Sequence, residues 1–154
     1  MKNILIIATI FLLNSCSPAK FNKQVLIIPT SYRGEIWLFY DQKQNRGNFK
    51  KEGAKITFYV PEDGIIYSKY KPEGILDQEQ YNDDHEKVFI TEYLDKENKI
   101  YLDGGSGGTL ELPDKKKLNY SRFFVGDEAS LNTMFKKSND HKYIIKKYTE
   151  SMKQ

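Results

Sequence analysis

Glu35-Ile36-Trp37-Leu38-Phe39-Tyr40-Asp41 is the stretch on which the fold turns. In an extended chain successive side chains point to opposite faces, so Ile36, Leu38 and Tyr40 share one side and Trp37 and Phe39 the other. The segment is short for a helix and rich in strong β formers, which predicts a strand apolar on both faces. A strand of that kind belongs in the middle of a sheet or sandwich.

The neighbouring segments read the same way. Residues 24–29 contain Val25-Leu26-Ile27-Ile28, a β-branched run stopped by Pro29, and predict a first strand. Thr30 to Gly34 reads as a turn. Residues 42–53 are polar and read as a loop. Residues 55–60 alternate, with Ile56, Phe58 and Val60 on one face. Pro61-Glu62-Asp63-Gly64 then supplies turn chemistry, and Ile65-Ile66-Tyr67 follows, so residues 55–70 predict a hairpin.

Residues 75–86 are acidic and read as irregular. Residues 87–94 and 99–103 predict two strands, and Gly104-Gly105-Ser106-Gly107-Gly108 a flexible loop. Residues 109–112 and 121–125 predict the last strands. Asp127 is placed to cap a helix, and Glu128 suits its positive end. Leu131, Met134 and Phe135 share one helical face, and Ile144, Ile145, Tyr148 and Met152 stripe a second helix over 140–152. The expected fold is therefore mainly β, an antiparallel sandwich or barrel-like domain over 24–154, with one or two C-terminal helices and no repeat.

Composition agrees. A chain of 154 residues with 39% apolar and 29% charged side chains allows one ordinary globular domain. It excludes collagen-like and disulfide-scaffold chains and argues against disorder. With 24 basic and 21 acidic residues the net charge is +3, which leaves no nucleic-acid footprint and no nucleic-acid partner to expect.

The first residues read as an address. Met1-Lys2-Asn3 is a cationic start, and residues 4–13 are an apolar core about half the length of a spanning helix, which needs on the order of 20 residues. Leu13-Asn14-Ser15-Cys16 resembles the bacterial lipobox. That resemblance implies a signal peptide over 1–15, diacylglycerol on the Cys16 thiol, and residues 16–23 as lipidated cysteine and tether. Cys16 is the only cysteine, so no internal disulfide competes for it. Two or three buried acyl chains would hold the protein almost permanently on a membrane. No acidic pair follows Cys16, unlike the surface-export signal of some Bacteroidota lipoproteins, so the expected location is the cell envelope, facing the periplasm.

Chemical motifs are sparse. The glycines at 104–108 lead into strand-like residues with no lysine, unlike a phosphate cradle. Asp77, Glu79, Asp83, Asp84, His85 and Glu86 are the densest set of possible metal ligands, but their spacing matches no EF-hand or zinc motif and reads as a solvated acidic loop. His141 has no visible partner, and the usual hydrolase motifs are missing. No cofactor, metal site or catalytic residue is expected, and the balance leans away from an enzyme. Tyr59, Tyr67, Tyr93 and Tyr101 fall in predicted strands, where outward rings could stack on a sugar or anchor a protein. The lysines at 136, 137, 142, 146, 147 and 153 read as solvated helix faces.

Three stretches carry a further resemblance. Ile28-Pro29-Thr30-Ser31-Tyr32-Arg33-Gly34 before the apolar 36–40, Val60-Pro61-Glu62-Asp63-Gly64-Ile65-Ile66, and Phe123-Phe124-Val125-Gly126 before an acidic helix start occur in that order. In this order they resemble the DUF6843 domain of bacterial envelope lipoproteins, over residues 25–135. The resemblance implies one compact domain and supplies no catalytic residue. The functional expectation is a non-enzymatic binding or assembly module, anchored through Cys16, whose partner is an envelope protein or a glycan. The alternatives are a hydrolase of envelope polymers using carboxylates in 77–86, and an inhibitor of a toxin or lysozyme that presents the 104–108 loop.

Overall fold

The computed structural model describes residues 20–43, 45–90, 92–137 and 140–153, so Cys16 and the leader lie outside the described residues. The strands are β1 (Lys20–Ile28), β2 (Gly34–Tyr40), β3 (Asn48–Glu52), β4 (Lys55–Tyr59), β5 (Ile65–Tyr67), β6 (Lys71–Asn82), β7 (Tyr93–Asp95), β8 (Ile100–Glu111) and β9 (Lys117–Gly126). Helices α1 (Glu128–Lys137) and α2 (His141–Ser151) follow. One sheet has the order β3-β4-β1-β6 and the other β5-β2-β9-β8-β7. The two sheets face each other across an apolar core that includes Leu26, Ile28 and Phe58 from the first and Ile36, Leu38 and Phe123 from the second. The fold is the mainly β sandwich with two C-terminal helices that the sequence predicts.

The two-faced strand is central, as expected. β2 lies between β5 and β9. Ile36, Leu38 and Tyr40 enter the core between the sheets. Trp37 and Phe39 enter a second cluster with Leu118 and Ile144, which packs α2 on the outer face of that sheet. The helix starts also agree: Asp127 Oδ1 accepts from Ser130 N at 2.8 Å, and Asp140 Oδ1 from Lys142 N at 2.9 Å.

Strand pairing is mixed rather than purely antiparallel. β1 pairs parallel with both β4 and β6, and β2 pairs parallel with β5. The hairpin expected over 55–70 does not form, because β4 and β5 belong to different sheets. The turn between them carries the chain across the sandwich. Gly64 sits at φ +69, donates to Pro61 O at 2.9 Å and accepts from Trp37 N at 2.8 Å. A turn signature sets the local bend only; the burial of the flanking faces decides which strand each side pairs with.

Five further segments differ from expectation. Polar residues 48–52 form the edge strand β3, since an edge needs only one apolar contact face. Residues 71–82, read partly as an acidic loop, form β6. The glycines at 104–108 lie inside β8, paired with β9, rather than in a loop. A Cβ on Gly107 would stand 2.6 Å from Tyr120 O, so the bare backbone permits close strand approach. Among the described residues of 87–94 only the last two belong to a strand, and the first described strand begins at Lys20, inside the expected tether.

The strands give the sandwich two distinct ends. Lys20 lies beside Lys71, and Asp41 N donates to Tyr70 O at 3.3 Å, so the chain enters β1 and leaves β2 at the same end. The turns at 29–33, 61–64 and 83–86 and the start of α1 lie at the opposite end.

Candidate functional site

The four expected tyrosines are not brought together. Tyr67 is buried at 5% exposure and stacks on Phe39 beneath α2, so it serves the core. Tyr59 is exposed, but on β4 of the other sheet. Only Tyr93 and Tyr101 meet. Their rings stack at 4.2 Å, and the Tyr101 hydroxyl donates to that of Tyr93 at 2.6 Å. The stack covers one face of each ring, and Tyr93 remains 37% exposed.

Two of the acidic residues at 77–86, Glu79 and Asp83, are held in structural bonds. Glu79 on β6 accepts from Lys87 and from Lys23, each at 3.0 Å. These bonds hold its carboxyl down from its ordinary 4.5 to about 2. Asp83 accepts from Thr30, and that bond lowers its pKa as well. Among the described residues no group of three His, Cys, Asp or Glu could hold a metal ion. The Glu79 shift has a pH signature. A carboxyl whose folded pKa is depressed adds stability that is full above about 4.5 and fades as pH falls toward about 2. Glu79→Gln is expected to lower Tm at neutral pH and to flatten the loss of Tm between those two values. Thermal melts across that range, monitored by circular dichroism, check it; equal slopes in both proteins would contradict it.

Glu35, at the start of β2, is the best-satisfied carboxylate of the fold. Its side chain is 9% exposed. It accepts from Tyr143 Oη at 2.7 Å on each oxygen, from Trp37 Nε1 at 3.2 Å, and pairs with Lys147 at 3.1 Å. Burial first, then the bond to Glu35, keeps the Tyr143 phenol protonated well above its ordinary range. Bonded to Tyr143 and Lys147 of the helix and to Trp37 of its own strand, Glu35 is the latch that docks α2. Tyr148 to Gln42 at 2.8 Å and Arg46 to the Ser151 carbonyl at 3.0 Å continue that docking down the helix. The cleft beside Glu35, about 340 Å³, is lined also by Glu62, Asp63 and Met134.

A second cleft enters between the sheets themselves. It holds about 400 Å³ and lies where β6 faces β8 and β9. Its lining includes Tyr40, Gln78, Gly107, Thr109, Asn119 and Ser121. In register, Gln24 stands beside Gln78, Leu26 beside Gln80 and Ile28 beside Asn82, so the edge strand points amides into a sandwich interior where aliphatic side chains are usual. Tyr40 Oη donates to Gln24 Oε1 at 2.5 Å, and burial keeps that phenol neutral. Gln24 is fully buried, and its Nε2 has no hydrogen-bond partner among the described residues. An unmatched buried amide donor costs about 1–3 kcal/mol. Opposite, Thr109 Oγ1 donates to Asn119 Oδ1 at 2.6 Å. Reading residues 75–86 as irregular hid this lining; the signal was the alternation Gln78, Gln80, Asn82.

No protein-family model matches the chain, so the DUF6843 resemblance rests on its three motifs. No curated protein matches it either. Among solved structures, a candidate lipoprotein from Bacillus anthracis, determined at 2.75 Å, is similar at 15% identity with a TM-score of 0.44. The alignment covers 71% of this chain and 72% of that one. Among the described residues no helix is long and apolar enough to cross a membrane.

Proposed function

We propose that this chain is a lipid-anchored bacterial envelope protein, a binding module that holds a polyhydroxylated ligand of the glycan class in the cleft between its sheets. The anchor follows from the leader, in which a short apolar run ends in Leu13-Asn14-Ser15-Cys16 and no other cysteine exists. The ligand class follows from the amide-lined cleft. Gln78, Asn119, Thr109 and Ser121 offer donors and acceptors in close alternation. Sugars present the same alternation of hydroxyl donors and acceptors. The carboxylates at 77–86 weigh toward binding rather than hydrolysis, because Glu79 and Asp83 are tied up in bonds that keep them ionised.

The full chain, purified from membranes in detergent, is expected to be retained on peptidoglycan and released by its soluble fragments. Gln78→Leu and Asn119→Leu should each weaken that binding by about tenfold, the size of one lost hydrogen bond with an unpaired partner. Wild type that is not retained, or variants retained equally, would contradict the reading.

A further inference from the structure

The charge of the sandwich is polarised along its strands. At the end where the chain enters β1, Lys51, Lys69, Lys71, Lys115 and Lys117 make no ion pair among the described residues. Lys51 and Lys69 bring their ammonium groups to 5.4 Å and 5.6 Å from the Tyr70 ring, beside Lys71. The acids Glu52, Glu73 and Asp114 at this end are each paired with a further lysine, at 2.7, 2.7 and 2.6 Å. Asp41 and Glu111 are too few to offset the rest. The opposite end exposes Glu62, Asp83, Asp84, Glu97, Asp127, Glu128 and Asp140 against Arg33, Lys96, Lys99 and Lys142, and Arg33 is already paired with Asp95.

We propose that the lysine-rich end of the sandwich rests on an anionic phospholipid surface, with the acidic end held away from it. The inference depends on the anchoring reading. Only residues 17–19 separate Cys16 from Lys20, so the start of β1 stays within roughly 14 Å of the lipidated residue. The two ends are about 33 Å apart by the length of the ten-residue β9. That exceeds the Debye length of about 8 Å at physiological salt, so the near end feels the surface potential and the far end does not. Lysines drawn toward phosphate headgroups and acids repelled from them turn the domain the same way.

The test uses the full chain purified from membranes, its mass measured first. It is reconstituted in vesicles containing phosphatidylglycerol or in vesicles of phosphatidylcholine alone. A dye is placed by Ala54→Cys in the β3–β4 turn, or by Glu97→Cys before β8, and energy transfer to a headgroup acceptor is recorded. Transfer from position 54 should exceed that from 97 several-fold on phosphatidylglycerol. That preference should shrink on phosphatidylcholine, and again when Lys51→Glu, Lys69→Glu and Lys71→Glu are combined. An acylated chain with equal transfer from both positions, or with a preference indifferent to lipid and charge reversal, overturns the orientation alone. A chain whose mass shows no acyl groups overturns the anchoring reading and the orientation with it.

Discussion

Gly64→Ala is expected to cost about 2–5 kcal/mol, enough to leave much of the protein unfolded at 37 °C. Two effects add. Gly64 has φ +69, a conformation that costs an L-residue about 1–2 kcal/mol. A Cβ there would also stand 2.0 Å from Tyr32 Oη and 2.2 Å from the Glu35 carbonyl oxygen. Tyr32 donates to that same carbonyl at 2.6 Å, so neither group can move without breaking the other's bond. Overpacking of this kind adds about 1–3 kcal/mol. Gly53→Ala is the control. Its φ is +58, but nothing lies within 4 Å of an added Cβ, so about 1 kcal/mol is expected. Urea denaturation of both variants reads the difference; equal midpoints would show that the crossing between sheets tolerates a side chain.

Trp37→Ala is expected to cost about 3–5 kcal/mol and to loosen α2. Trp37 is 1% exposed and stacks on Phe39 at 5.8 Å and 11°. It also meets Tyr120 and Tyr143 and lies under the Arg122 guanidinium at 5.3 Å. Removing the ring opens a void between sheet and helix and deprives Glu35 of its Nε1 donor. Because Trp37 is the only tryptophan, the melt is followed by circular dichroism. Hydrogen exchange should show faster opening of α2 amides than of β1 amides; uniform acceleration would contradict the separate role of this cluster.

Local periodicity made part of the fold legible, and long-range pairing hid the rest. The segment 35–41 declared both of its faces, and both are buried as read. Asp127 and Asp140 announced the helix starts. Pro61-Glu62-Asp63-Gly64 announced a bend truly but not its destination, since no local residue encodes that β4 joins β1 while β5 joins β2. The glycines of β8 imitate a loop because a strand pressed against its neighbour's carbonyls needs the same residue that a mobile loop favours. β3 and β6 escaped notice because each is an edge strand and reads polar. β6 was harder still, because its inward face carries amides. The cleft was therefore invisible as a site, although its residues alternate visibly once the strand is known. Tyr67 reads equally as an outward or an inward ring because tyrosine suits either face of a strand, and the sandwich buries it.

The mass of the chain recovered from bacterial membranes tests the central claim most directly. The prediction is a polypeptide that begins at Cys16 and carries diacylglycerol on its thiol. A chain that retains residues 1–15, or one that begins at Cys16 with no lipid mass, would contradict it.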